Sequence, residues 1–435
     1  MEIKDLDEVG ARKAAMHPLL SSYIGGHRSS LPTPSLCLSL PAIQRNCDIF
    51  HKSLDGTGIQ FRAHVKTHKT AEVTRIKLGT EHHAVIVSTV REMRGLLPLI
   101  QDGTITDVLY GLPPAASYIP TLSSLSRQIP NLRLLVDHPD QLKDLTALPP
   151  LCGKHWSVFL KIDTGCHRAG LEPNSEEFFE LCKAALVAKN VSIYGLYAHA
   201  GDSYSSHSEE DSQAYLSGEV TAVTDAMVTL QRAAAAISAD LAEQVAARPY
   251  VLSVGATPTA HVVGVFRSKT IGEGFPLLGQ CQFEIHAGNF PFNDLQQLAT
   301  GVVPEPDRYT PGSSSLACTV QVEVVSIYPS RNEALINAGV LAVGREPGQY
   351  PGFARVRGRE KWVLGRVSQE HGVLSLNKDE AEGGSDKIEK AFKVGEKLTL
   401  DVQHACVTAA SHDWYFVLDE KDIVKDVWYP WRGWM

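Results

Sequence analysis

The chain has 435 residues, of which 43% are hydrophobic and 21% are charged, so it is long enough for two domains with a large buried core. Its net charge of −8 gives no basic field for nucleic acid, and no apolar run reaches the roughly 20 residues that a membrane helix needs. The first ten residues lack the basic and apolar pattern of a secretory signal, which predicts a cytoplasmic protein.

Residues 1–40 predict an irregular lead that ends in a short apolar strand, and residues 41–54 predict the first helix, with Pro41 near its start. From there, short apolar runs alternate with helical patterns, including a long one over residues 213–247. Repeated strand-then-helix order predicts parallel strands with crossover helices. We therefore expect an α/β fold with a (β/α)₈ barrel over residues 41–303. The eight predicted strands cover residues 59–66, 84–88, 107–111, 132–137, 156–163, 192–199, 250–254 and 281–286.

The sequence changes character after residue 301, where Pro304, Pro306 and Pro311 suggest a linker. Beyond it, the apolar runs are short, rich in β-branched residues and bounded by turn residues. This pattern predicts a second, C-terminal all-β domain over residues 304–435, and we expect residues 1–40 to pack with it. The predicted strands of this domain cover residues 319–327, 334–337, 361–367, 397–403 and 415–418.

The first barrel strand ends in polar residues, because residues 59–66 alternate between apolar and polar side chains. Arg62, His64 and Lys66 therefore share one face. An exposed edge strand would give the same alternation, but the first of eight barrel strands would point this face inward. A lysine in a barrel interior is partly desolvated, which lowers its pKa and suits a Schiff-base nucleophile, whereas a solvated lysine is the commoner alternative.

Other strand ends offer further polar groups, and the active sites of such barrels lie where the strands end. Gly165 and Gly170 suit a tight turn that holds Arg168 inward. Tyr197 and His199 share a face, although a buried Tyr/His pair without a ligand has the same spacing.

Two loops contain small residues whose backbone N–H groups suit a phosphate, and plain turns are the alternative. They span residues 253–259 and 286–290, after the last two barrel strands, where barrel enzymes often bind phosphate.

The triplet His404-Ala-Cys406 is a candidate zinc pair in the second domain. On a strand, residues two apart share a face, so the imidazole and the thiolate would converge on one ion. Most such triplets bind no metal. Two protein ligands would leave coordination positions for water or substrate, as a catalytic metal requires.

Together, these motifs resemble those of the fold-type III pyridoxal-phosphate enzymes, and within them the fungal D-serine dehydratases. The resemblance implies that Lys66 forms the Schiff base and that Arg168 and Tyr197 lie along the pyridoxal ring, with His199 beside them. It implies zinc on His404 and Cys406. The residues that it places around the cofactor phosphate are Ser253, Gly255, Ala256, Thr257, Gly288 and Asn289.

The resemblance implies dehydration of D-serine to pyruvate and ammonia, with Lys66 as the Cα base, zinc activating the β-hydroxyl, and a homodimeric enzyme. It leaves open whether His404 and Cys406 act on the Lys66 of their own subunit. D-threonine aldolases look similar in the lysine motif but have aspartate in place of Cys406, and this difference favours the dehydratase. A lyase that cleaves Cα–Cβ of β-hydroxy D-amino acids is the alternative function. A non-catalytic cofactor- or zinc-binding protein is the third. Phe290 departs from the pattern, since relatives usually have tyrosine there.

Overall fold

A computed structural model describes residues 16–265, 281–303, 314–377 and 386–434. Most of the predicted linker and the first 15 residues of the predicted lead lie outside these ranges. Within them, no helix combines the length and the apolar character needed to cross a bilayer.

Eight parallel strands close into a barrel, which confirms the predicted fold class. Their ends lie within two residues of the predicted ends, and the first of them stops two residues before Lys66. After strand β1 (Ser35–Ser39), the barrel strands are β2 (Gln60–His64), β3 (Ala84–Val87), β4 (Asp107–Tyr110), β5 (Asn131–Val136), β6 (Trp156–Lys161), β7 (Val191–Tyr197), β8 (Val251–Val254) and β9 (Gln282–Ala287).

Helices cover the outside of the barrel. Ser39 caps the first of them by accepting from the Ala42 N–H. Ser238 ends one helix and caps the next, so the predicted helix over residues 213–247 is in fact two. The helices are α1 (Leu40–Leu54), α2 (Ala71–Leu78), α3 (Val90–Gly95), α4 (Leu97–Gln101), α5 (Ile119–Leu125), α6 (Pro139–Ala147), α7 (Glu176–Val187), α8 (Glu209–Ile237), α9 (Ala239–Ala247), α10 (Thr257–His261) and α11 (Leu295–Ala299).

The barrel interior is partly apolar and partly charged. Alternation along the strands places one set of side chains against the helices and the other inside. Arg62 is 1% exposed and bonds to Asp107 on β4 and Glu284 on β9. The apolar interior cluster consists of Ile86, Leu109, Leu135, Phe159, Tyr197 and Val251.

The second domain is a largely antiparallel sheet of nine strands that includes β1, in the order β11-β14-β13-β12-β15-β10-β1-β16-β17. Strand β1 pairs antiparallel with β10 and parallel with β16, so a segment that precedes the barrel lies inside this sheet. The other strands are β10 (Cys318–Tyr328), β11 (Glu333–Ile336), β12 (Ala354–Val356), β13 (Trp362–Val367), β14 (Gly372–Leu376), β15 (Lys397–Val402), β16 (Tyr415–Leu418) and β17 (Val424–Trp428). Its short helices are α12 (Val340–Val343), α13 (Ile388–Ala391) and α14 (Ala405–Ala410).

Replacing Arg62 by Met is expected to destabilise the fold by about 3–5 kcal/mol, because it removes the cation that two buried carboxylates share. Arg62 Nη1 lies 2.5 Å from Asp107 Oδ1, and its Nε lies 2.8 Å from Glu284 Oε1. The control is Arg75→Met, since Arg75 pairs with Asp102 at the surface, where solvent screens the charges. Urea unfolding followed by circular dichroism measures both losses, and equal losses would contradict the interpretation.

Candidate active site

A cavity of about 910 Å³ lies at the carboxyl ends of the barrel strands and reaches the second domain. It brings together, within one chain, all but one of the residues that the sequence predicts for the site. Ser253 is the exception: it is fully buried and donates to Glu284 Oε1 at 2.8 Å inside the barrel. The predicted residues that line the cavity are Lys66, Arg168, Tyr197, His199, Gly255, Ala256, Thr257, Gly288, Asn289, His404 and Cys406.

Lys66 lies in the turn after β2, and buried groups fix the backbone of this turn. The Lys66 N–H donates to His64 Nδ1 at 3.3 Å. The fully buried Lys77 on α2 donates its ammonium protons to the carbonyls of His64, Ala287 and Gly288, at 2.6, 3.3 and 2.9 Å. Burial lowers the pKa of Lys77 to about 7, and its three hydrogen bonds join the Lys66 turn to the loop after β9.

Two rings stack to form a flat wall of the cavity. The ring centroids of Tyr197 and His286 are 4.2 Å apart, and their planes differ by 14°. Burial, with nearby cations, lowers the pKa of His286 and His199 well below the usual histidine value, so both rings are neutral. His199 Nδ1 lies 2.6 Å from the Gly255 carbonyl oxygen, which makes Nδ1 the protonated nitrogen and leaves Nε2 as an acceptor.

The loop after β8 is shaped by Gly255 and by a buried carboxylate. Gly255 has a φ of 139°, and a Cβ there would lie 2.3 Å from the His286 carbonyl oxygen, so only glycine fits. Glu219 on α8 accepts through Oε1 from the N–H groups of Ala200 and Gly255, at 2.7 and 3.0 Å. Burial raises the pKa of Glu219 to about 7, against the lowering effect of these donors.

A second buried carboxylate, Asp294, connects the barrel loops to the second domain. Its Oδ2 accepts from Asn289 Nδ2 at 2.6 Å and from the Ala405 N–H at 2.8 Å. Its Oδ1 accepts from the Gln297 N–H at 2.9 Å. Asn289, a candidate phosphate contact, is thus one hydrogen-bonded step away from the His404-Ala-Cys406 triplet.

The prediction that His404 and Cys406 lie on a strand is wrong, although both residues reach the cavity. Strand β15 ends at Val402, and helix α14 begins at Ala405, with His404 immediately before it. The physical reason is the Ala405 N–H, which bonds to Asp294 instead of to a neighbouring strand. The beginning of helix α14, and not a strand, brings the two side chains to the cavity.

The His404 and Cys406 side chains shift each other's pKa in opposite directions. Burial raises the pKa of Cys406, but His404, Lys66 and the Thr67 hydroxyl, which is 3.0 Å from the sulfur, lower it overall. Burial opposes protonation of His404, yet Cys406 and the carboxylates of Asp294 and Glu346 raise its pKa to about 9. The pair therefore favours a thiolate beside an imidazolium. The thiolate is the form that binds metals, whereas His404 must release its proton to bind one. No cluster of three or more His, Cys, Asp or Glu suited to a metal occurs in the described part of the chain.

Two residues that the sequence analysis missed also line the cavity. Lys161 ends β6, and burial lowers its pKa to about 8; its Nζ donates to the Ile162 carbonyl at 2.8 Å. It has the same strand parity as the interior Phe159, so alternation could have found it. Tyr204 lies in the short helical turn Gly201–Ser205 and hydrogen bonds to Thr257. No periodic signal marks this turn.

Phe290, where relatives usually have tyrosine, faces the core. It is fully buried, and its ring centroid lies 4.4 Å from that of Phe50 and 5.9 Å from that of Phe61. The phenol near the loop after β8 comes from Tyr204 instead.

The aromatic tail after β17 closes one side of the cavity. The Trp431 N–H donates to the Lys69 carbonyl at 2.7 Å, and its ring packs on α3 at Gly95, where a Cβ would lie 2.2 Å from it. Arg432 and Trp434 line the cavity beyond this contact.

Comparisons with known proteins agree with this architecture. The N-terminal domain of alanine racemase matches residues 38–262, and a putative serine dehydratase domain matches residues 317–418. The D-serine dehydratase of Schizosaccharomyces pombe is 38% identical over 427 residues, which are 96% of this chain and 95% of that protein. The chain belongs to the D-serine dehydratase family. The D-serine dehydratase of Saccharomyces cerevisiae is 36% identical over 96% of this chain and 100% of that protein.

The fold extends to a solved relative of this family. D-threo-3-hydroxyaspartate dehydratase from Delftia sp. HT23 superposes with a TM-score of 0.76 at 26% identity, over 94% of this chain and 100% of that one. A cysteine-to-alanine variant of a D-threo-3-hydroxyaspartate dehydratase, in a metal-free form, also gives a TM-score of 0.76, at 27% identity over the same shares of the two chains.

Glu219→Ala is expected to release the Ala200 and Gly255 amides, because both donate to this one carboxylate. Hydrogen–deuterium exchange of peptides covering residues 198–201 and 253–257 is expected to accelerate about tenfold, since a lost hydrogen bond costs about 1–3 kcal/mol. Glu210→Ala, an exposed change in the first turn of α8, serves as the control. Unchanged exchange in Glu219→Ala would show that the carboxylate does not hold the loop.

Proposed function

We propose that the chain is a D-serine dehydratase that depends on pyridoxal phosphate and zinc and forms pyruvate and ammonia. The observation that supports this most strongly is that Lys66, His404 and Cys406 of one chain line one cavity. A Schiff-base lysine and a metal pair must both reach the same small substrate for this chemistry. The family relationship points in the same direction.

The cavity fits the cofactor in size and in the arrangement of its polar groups. Its volume of about 910 Å³ suits a ligand of cofactor size with a small amino acid. We assign the flat Tyr197–His286 wall to the pyridine ring, and Lys66 to the aldehyde carbon. The loops at Gly255 to Thr257 and at Gly288 and Asn289 would hold the phosphate. When bound, the cofactor would withdraw electrons from the substrate Cα and so acidify its proton.

The donor set at His404 and Cys406 fits zinc, which binds thiolate and imidazole ligands. Zinc held there would supply Lewis-acid activation of a hydroxyl, which is otherwise a poor leaving group. The Thr67 hydroxyl, 3.0 Å from the Cys406 sulfur, would hold the thiolate in place.

Proton transfer falls to Lys66. Once the substrate amine has replaced it, its free amine would accept the Cα proton. His199 and His286, which line the same cavity, are kept neutral by burial and nearby cations. Loss of the β-hydroxyl as water leaves an unsaturated amine, which takes up water and gives pyruvate and ammonia. As the resemblance implies, we expect a homodimer that acts on small D-amino acids, and the sequence of the first ten residues leads us to expect it in the cytoplasm.

Lys66→Ala is expected to remove the cofactor colour and all turnover, because the covalent link is lost. Cys406→Ala is expected to keep the colour but to lose pyruvate formation from D-serine at least about 100-fold, since removal of a catalytic group typically costs this much. Absorbance spectra and pyruvate assays measure the two effects. Wild-type rates in Cys406→Ala would contradict the metal role, and glycine with an aldehyde as products would indicate the aldolase alternative.

Treatment with a chelator is expected to abolish pyruvate formation, and added zinc is expected to restore it, because His404 and Cys406 are proposed to hold the metal. Metal content measured by mass spectrometry should fall and recover in parallel. His404→Ala serves as the control that zinc cannot rescue. Full activity of a metal-free preparation would rule out the proposed zinc dependence.

A further inference from the structure

Hydrogen bonds hold a loop of the second domain, residues 345–350, across the mouth of the cavity. Gln296 Nε2, from the barrel side, donates to the Pro347 carbonyl at 2.9 Å. Gln349 Nε2 donates to the Ser206 carbonyl at 3.1 Å, and Gln403 Nε2 donates to the Tyr350 carbonyl at 2.7 Å. These three hydrogen bonds, all to residues that follow Glu346, fix where the loop places this side chain.

Glu346 projects toward the candidate metal pair. It lines a recess of about 640 Å³ at the cavity mouth, together with Lys66, Arg168 and His404. Its Oε2 lies 3.8 Å from His404 Nδ1, an atom that is buried and has no hydrogen-bond partner among the described residues. The Glu346 carboxylate therefore lies next to His404, and the proposed function places the substrate β-carbon beside His404.

The cations of the cavity offer little to balance a second negative charge on a substrate. Lys69 Nζ pairs with Glu92 at 2.9 Å, and Arg432 pairs with Asp413 at 2.6 Å. Lys161 is buried at the end of β6, away from the mouth, and donates to the Ile162 carbonyl at 2.8 Å. Lys66 and Arg168 remain among the described residues that line both the cavity and its mouth. The first is assigned to the cofactor. The second, which the resemblance places along the pyridoxal ring, would at most be matched by the one carboxylate that every amino acid carries.

We propose that Glu346 is a specificity-determining residue that selects D-amino acids with an uncharged β-substituent and rejects those with a β-carboxylate. The inference rests on the proposed function, because that function places the β-carbon beside His404 and Cys406. D-serine fits such a site, whereas the second carboxylate of a 3-hydroxyaspartate would meet Glu346. Like charges facing each other in a binding site are a general means of rejecting a wrong ligand.

The test compares two ligands that lack a β-hydroxyl and so cannot be dehydrated, D-alanine and D-aspartate. Their dissociation constants are measured with the holoenzyme from the change in cofactor absorbance. Glu346→Gln is expected to improve the affinity for D-aspartate relative to D-alanine by about tenfold, and Glu346→Lys by more. In the wild type, added salt should weaken the discrimination; in Glu346→Gln it should have little effect. Glu420→Gln, a change of an exposed carboxylate near β17, is the control.

An unchanged ratio of the two affinities in Glu346→Gln would overturn the proposal. A parallel loss of both affinities would also overturn it, because it would show that Glu346 only supports His404. The ratio of kcat/KM for 3-hydroxy-D-aspartate and D-serine should rise with the affinity ratio. If the wild type forms no pyruvate from D-serine, the proposed function fails, while the affinity ratio still tests the role of Glu346 independently.

Discussion

The hydrogen bonds of one buried carboxylate, Asp294, hold the two halves of the candidate site in register. One of its oxygens binds both the Asn289 side chain and the Ala405 N–H, so a loop of the barrel and the helix that positions Cys406 share a single anchor. A carboxylate is costly to bury, and here three donors and the nearby His404 compensate for the lost water.

Two other buried ionisable side chains also hold loop backbones around the cavity by hydrogen bonds. Lys77 donates to three carbonyl oxygens of the turns that carry Lys66 and Gly288. Glu219 accepts from two backbone amides of the loops after β7 and β8. Loop backbones at the end of a barrel have polar groups that no neighbouring strand satisfies. Buried ionisable side chains on the surrounding helices form hydrogen bonds with these backbone groups and so hold each loop in one conformation. Hydrogen bonds, which are stronger in low-dielectric surroundings, offset the free energy lost when these side chains are removed from water.

Alternation and strand counting predicted the barrel, because a period of two and regular helical connections are properties of short segments. Parity also predicted the shared faces of Arg62, His64 and Lys66 and of Tyr197 and His199, whereas the residues of the phosphate loops and the roles of Arg168, His404 and Cys406 came from loop composition and from the resemblance. Ser253 shows the limit: its parity is interior, but it lies deep enough to bond with Glu284 instead of a ligand. The helical start at Ala405 depends on Asp294, which is more than 100 residues away in sequence, so local pattern favoured a strand. Strand β12, with three residues, is too short to show a period.

The position of β1 and of the aromatic tail has a kinetic consequence. Synthesis produces β1 first, then the barrel, and only afterwards the strands β10 and β16 between which β1 lies. Until those strands exist, both edges of β1 are unpaired, and the wall of the cavity formed by Trp431 to Trp434 has not been made. Contacts of such large sequence separation close slowly and leave exposed strand edges in the meantime. A nascent chain with a finished barrel therefore still lacks a complete second sheet and one wall of its active-site cavity.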